Sequence, residues 1–224
     1  MTYLKEELFS EDSIIDPNWV IRYLLNHMSP GRVSSKEVMR IVKKMLTHLD
    51  DVKITFRKAP TVKGCFAVSG VYDTETKTSI HLEIFNEAYE KKFQLNESYY
   101  NRFIYDVADT LCHESIHRYQ HKVRLYEDYF EGFSVDEQEK YYSDPDELFA
   151  YSVNIAHNLY RTYGDDLLLH LSDYKSIIDM DPYFSDYCLI FNNKKILNKL
   201  LKMIYLNVVA IQQGSVCHRT NLNA

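Results

Sequence analysis

The stretch DTLCHESIHRYQHK, residues 109 to 122, places three histidines and a glutamate within nine positions of one segment of helical periodicity. His113 and His117 stand at i, i+4, so their imidazoles lie one turn apart on one helix face. Both can then reach a single ion at about 2.0 to 2.1 Å, the distance zinc prefers to nitrogen. Glu114 is rotated to one side, where a carboxylate can hold and deprotonate a water without binding the metal itself. His121 extends the i, i+4 series, but eight helical residues carry it about 12 Å along the axis from His113. That is too far for two ligands of one ion. Gln120, three residues after His117 on the same side, is better placed to hold the outer nitrogen of a ligating imidazole.

A chemical pair of this kind needs a rigid helix beneath it. With Ile104 as origin and 100° per residue, Val107, Ala108, Leu111 and Cys112 fall within about 80° and form a core stripe. His113 and His117 fall near about 180° and 220°, away from that stripe and toward solvent or a cleft. The competing reading is a solvated helix face on which His and Glu make ordinary polar contacts. Cys112 lies with the stripe and reads as a buried thiol rather than a ligand.

Around this helix, hydrophobic periodicity predicts an α+β chain. A helix is expected from about 17 to 28, stopped by SPG at 29 to 31, and a second, capped by Ser34 or Ser35, through about Leu49. Three β-like runs follow: VKITFRKA (52 to 59), CFAVSGVY (65 to 72) and TSIHLEIF (78 to 85), the last two joined by the turn-like DTETK. They suggest a small, mostly antiparallel sheet with the third run at an edge, its polar face (Ser79, His81, Glu83) solvated. From 97 onward the chain reads as helix over 97 to 123, 145 to 163, 165 to 179 and 193 to 212. In the last of these, Ile196, Leu200, Met203, Ile204 and Val208 share one side and read as core. No internal repeat or linker interrupts the pattern, so a single domain over 1 to 224 is expected.

Composition narrows the class. The chain has 224 residues, 46% hydrophobic and 26% charged, enough for one core-bearing domain. Its formal net charge of −6, with both signs interspersed, argues against a surface built to neutralise nucleic-acid phosphates. Cys65, Cys112, Cys188 and Cys217 form no C-x-x-C pair, which suits neither a zinc ribbon nor a disulfide framework and fits a reducing compartment. The first residues lack the pattern of a signal peptide and no apolar run approaches a membrane span, so a cytoplasmic protein is expected. Nineteen tyrosines, several of them at 99 to 105, 126 to 129 and 141 to 151, could grip peptide, although tyrosine borders helices throughout the chain.

A helix, a small sheet, and an H-E-x-x-H helix followed by more helices resembles the zincin superfamily of zinc metallopeptidases. The wider string TLCHESIHRYQ is similar to the active-site helix of SprT-like peptidases and of small metallopeptidases of phages and bacteria. The resemblance spans about residues 35 to 163, specific at the helix and loose elsewhere. It implies a zincin-like fold, a bound Zn2+ and a third protein ligand, with a water in the fourth position. The metzincin extension is absent: Gln120 stands at its glycine and Val123 at its last histidine. Glu147, thirty residues after His117 at the start of the next long helix, matches the glutamate ligand of the gluzincin branch. Asp144-Pro145-Asp146-Glu147 also reads as a helix cap with a capping-box acid, and His157 and Asp144 remain alternatives, since SprT-like enzymes use a histidine third ligand. The aspartate expected four residues after the ligand glutamate is replaced by Tyr151.

The function so implied is a zinc metalloendopeptidase hydrolysing peptide bonds, of the host cytoplasm or a virion if phage-encoded. The metal would activate water and polarise the scissile carbonyl, and Glu114 would accept the water's proton and pass it to the leaving amine. Tyr151, His157 and Tyr160 are candidate donors to the oxyanion. An edge strand would pair with extended substrate, with residues 78 to 85 as the place to look. The alternative is a non-catalytic zinc-binding structural or assembly protein that keeps the fold. A protease acting on DNA-crosslinked protein is disfavoured by the missing zinc ribbon and the acidic balance.

Overall fold

The computed structural model describes residues 14–49, 51–59, 61, 65–77, 79–86, 92–124, 138–167, 181–191 and 194–213. By internal packing the chain divides into two compact units, 1–128 and 129–224. It is mixed α+β, with helix predominating.

The first unit opens with α1 (Pro17–His27), whose N-cap Asp16 accepts from Asn18 N–H with Pro17 in the first turn. Then β1 (Gly31–Val33) leads into α2 (Ser35–Leu46). Ser34 and Glu37 form a reciprocal capping box at the start of α2, which settles its boundary. The strands β2 (Val52–Lys58), β3 (Ala67–Tyr72), β4 (Ile80–Asn86) and β5 (Phe93–Leu95) precede the long helix α3 (Glu97–Val123). β1 pairs antiparallel with β5, and the other three strands form a sheet of order β2-β4-β3.

Two of the three strand pairings are antiparallel, in keeping with a mostly antiparallel expectation, but the order corrects the edge position expected for the third run. β4 is the central strand rather than an edge, and it is parallel to β2 while antiparallel to β3, so the sheet is mixed. The reason lies in the side chains. Ile80, Leu82 and Ile84 are wholly buried, whereas the flanking strands expose Lys53, Arg57, Ala67, Ser69 and Val71. The strand with the most apolar inner face takes the middle, and those with exposed residues take the edges. The polar face of β4 is also engaged rather than merely solvated: His81 Nε2 meets Thr55 Oγ1 at 2.5 Å, and Glu83 pairs with Arg57 at 2.7 Å.

The β3–β4 hairpin turns through Asp73, whose side chain accepts from the N–H groups of Glu75 and Thr76. Asp73 N–H donates to Ser79 C=O, so the odd residues of β3 bond toward β4. Val68, Gly70 and Tyr72 therefore turn their backbone groups to the other side. The inner face of the sheet packs on α3, and α1 packs along the same helix. Ile104, Val107, Ala108, Leu111 and Cys112 are all buried in that core.

The second unit contains α4 (Gln138–Ser143), α5 (Pro145–Tyr163), a short 3-10 turn at Gly164–Asp166, α6 (Pro182–Ile190) and α7 (Lys194–Gln212). Of the helix expected over 165 to 179, residues 168 to 179 lie outside the described residues, and its first two positions belong to the 3-10 turn. α5 packs on α7 through Leu200, Met203, Ile204 and Val208, with Asn207 Nδ2 donating to the buried Ser152 Oγ at 2.9 Å. Ile196, expected in that core, is only half-buried. No helix of the described residues is long and apolar enough to cross a membrane.

Candidate metal centre

α3 is buried around most of its circumference between Val107 and His121, so the face opposite the core stripe is not a solvated surface. His113 is 8% exposed and Glu114 9%, while His117 is half-buried. Such burial is costly for polar side chains unless each has a partner.

The two imidazoles meet edge to face, ring centroids 4.7 Å apart, with Nε2 of His113 and Nε2 of His117 separated by 3.0 Å. His117 Nδ1 lies 3.1 Å from Gln120 Oε1. An amide oxygen can only accept, so Nδ1 carries the proton and Nε2 keeps its lone pair. Two ligands of a tetrahedral zinc, each at about 2.05 Å, stand about 3.3 Å apart. The observed spacing comes close to that bite. At this distance two bare lone pairs repel, and a proton or a cation between them removes the repulsion.

Glu147 stands at the third position of α5. Asp144 Oδ1 accepts from Asp146 N–H at 2.8 Å, and Pro145 occupies the first turn, so the cap read from sequence is present. The capping-box role for Glu147 is not. The Asp144 N–H that a capping box would offer to Glu147 instead donates to Tyr141 C=O at 3.0 Å. Glu147 is 3% exposed.

The remaining candidates are placed differently. Tyr151 is one turn beyond Glu147 on the same face, and its ring packs with those of Tyr142, Tyr183 and Tyr187. Burial, reinforced by Tyr142 and Glu147, pushes its phenol well above the ordinary tyrosine range, so it stays protonated and can donate. His157 and Tyr160 lie ten and thirteen residues past Glu147 on one continuous helix, about 15 and 20 Å along its axis. They are not brought to Glu147. Burial, with Arg161 nearby, lowers the His157 pKa to about 4, which keeps the ring neutral. Asp144 spends its side chain on the cap.

Glu114 is held from the sheet. Tyr72 N–H, at the end of β3, donates to Glu114 Oε2 at 2.7 Å. The Tyr72 phenol meets His121 Nδ1 at 2.9 Å, which gives His121 a place against the strand. Between them Gly70 lies so close to α3 that a Cβ would stand 2.5 Å from Thr110 Cγ2 and 2.8 Å from Glu114 Cγ. Neither Gly70 nor Tyr72 is among the site residues expected from the sequence. A glycine inside the β run CFAVSGVY was the available signal, because an isolated glycine in a strand marks a close backbone approach.

No protein-family model matches the chain, and neither the curated proteins nor the solved structures give a match.

Proposed function

We propose that this chain is a zinc-dependent metallopeptidase in which His113, His117 and Glu147 hold the metal and Glu114 is the general base. The observation that carries the reading is the facing pair of Nε2 atoms at 3.0 Å, with the His117 tautomer set by Gln120. Two imidazoles and a carboxylate are a donor set suited to catalytic zinc, which leaves a position open for water. When bound, zinc would acidify that water and polarise a carbonyl. Glu114 has one oxygen anchored by Tyr72 N–H and can accept a proton on the other, then return it to the leaving amine. Tyr151, kept protonated by burial, is the phenol of choice for an oxyanion donor. With β4 central, the strand to accept an extended peptide is β3, where Val68 and Gly70 turn their N–H and C=O away from the sheet. A cytoplasmic setting goes with this reading, since neither Cys65 nor Cys188 forms a disulfide.

One observation favours the second reading, a zinc-binding structural or assembly protein without turnover: the Tyr72 bond gives Glu114 a packing role that such a protein would also keep.

The test is zinc per chain by elemental analysis, followed by hydrolysis of a broad fluorogenic peptide library. About one zinc in the wild type is expected, lost in His117→Ala and weakened in Glu147→Ala, with hydrolysis abolished in Glu114→Ala while the metal stays. Absence of zinc even after loading overturns the metal centre. Zinc with equal inertness of wild type and Glu114→Ala selects the second reading.

A further inference from the structure

We infer that Tyr72 is a positioning residue for Glu114, acting through both its amide and its phenol. The catalytic side of this inference rests on the metallopeptidase reading; the geometric side does not.

Tyr72 is the last residue of β3 and is buried against α3. Its N–H, one of those turned away from β4, donates to Glu114 Oε2 at 2.7 Å. Seven residues further along α3, His121 receives the ring of the same tyrosine edge to face, centroids 5.6 Å apart, with the phenol oxygen 2.9 Å from Nδ1. One strand residue thus grips α3 at two points about two turns apart. The glutamate side chain has several rotatable bonds, and a carboxylate held by a single backbone amide keeps its place only as well as that amide does. β3 ends at Tyr72 and the chain turns at Asp73, so no further strand residue holds position 72 against the helix. The phenol bond is what ties position 72 to the helix, while the absent side chain at Gly70 lets the strand approach closely enough for the amide bond to form. Tyr72 and His121 therefore orient the base without touching a reacting atom.

The test uses amide hydrogen exchange on the full chain, which requires neither metal nor substrate. The N–H of Asp73, bonded to Ser79 C=O on the opposite side of the strand, is the internal control. In Tyr72→Phe the amide at position 72 should exchange about fivefold faster, the scale of one buried neutral hydrogen bond, with Asp73 unchanged. His121→Phe should behave the same way, and His121→Asn, which places a polar atom near the former Nδ1, should restore protection. In Glu114→Ala the amide at 72 should lose its protection altogether. With zinc-loaded protein and fluorescein-labelled casein, Tyr72→Phe should lower kcat about tenfold with KM and zinc content unchanged, whereas general loosening would lower zinc content too.

Equal acceleration at 72 and 73, or none at 72, overturns the inference. A wild type inert toward casein would remove the peptidase reading and leave the exchange result to decide the positioning.

Discussion

Gly70→Ala puts the strand-on-helix geometry under direct strain. The glycine's φ is not in the left-handed region, so alanine costs nothing in backbone conformation and should gain about 0.4 to 1 kcal/mol by restricting the unfolded chain. Against that gain stands the new methyl, 2.5 Å from Thr110 Cγ2 and 2.8 Å from Glu114 Cγ. Carbon atoms rest at about 3.5 to 4.0 Å, so β3 must retreat from α3 by about 1 Å or the helix side chains must move. Overpacking of this kind costs about 1 to 3 kcal/mol. A retreat of 1 Å also stretches the Tyr72 N–H bond to Glu114 from 2.7 Å to beyond useful length. Losing a buried bond to a charged acceptor adds about 1.5 to 3 kcal/mol. The net expectation is a destabilisation of about 2 to 5 kcal/mol, read by urea unfolding at neutral pH. Thr110→Ala removes the nearer clash, and the double variant should recover at least 1 kcal/mol in a mutant cycle. A Gly70→Ala protein as stable as wild type, or more stable, would refute the close approach and with it the placement of Glu114 under β3.

Three further outcomes follow from the same geometry. Gln120→Ala should weaken zinc binding about 10- to 100-fold in competition with a chelator while leaving stoichiometry at saturation intact, because it frees the His117 tautomer without removing a ligand. His157, with its pKa lowered to about 4 in the fold against 6.5 unfolded, is neutral in the native state while the unfolded chain binds its proton. Its contribution is complete above about pH 6.5 and is lost as pH falls toward 4, amounting to about 2 kcal/mol by pH 5. Urea unfolding of wild type and His157→Gln at pH 7 and pH 5 checks this, since the variant should lack that part of the acid loss. Asn207→Ala removes the buried bond to Ser152 between α7 and α5 and should cost about 1 to 3 kcal/mol, without changing zinc content.

The helices of this chain were largely legible from sequence because their signals are local. Ser34 with Glu37, Asn96 before α3, and Asp144-Pro145 before α5 mark their own starts, and the stripe from Ile104 to Cys112 declares its buried face. The pairing of His113 with His117 is equally local, because 3.6 residues per turn dictates it. What escaped depends on distant partners. β1 and β5 are only three residues each and exist by pairing with one another across the unit. The central place of β4 follows from comparing three strands, and alternation within one strand carries no such comparison. α6 was missed although Asp181-Pro182 offers the same cap as α5, because a proline also reads as a break between helices. The separation of His157 and Tyr160 from Glu147 was implicit in the single helix expected over 145 to 163. The bond from Tyr72 N–H to Glu114 also escaped, because it is set by tertiary packing and leaves no mark in the spacing along one helix.

The strand order has a bearing on how the chain acquires this arrangement. β3 and β4 are joined by a short turn and can pair as soon as both exist, whereas β2 must reach across β3's sequence to lie parallel to β4, with Val52 opposite Ile80. Pairing β1 to β5 closes a still longer stretch, Gly31 opposite Leu95. Loop closure disfavours the distant pairings until nearer ones are made. The β3–β4 hairpin is thus the natural first piece, and it carries Gly70 and Tyr72. During synthesis that surface precedes residues 113 to 117, so the helix bearing the two imidazoles can form against a strand already waiting to take hold of its glutamate.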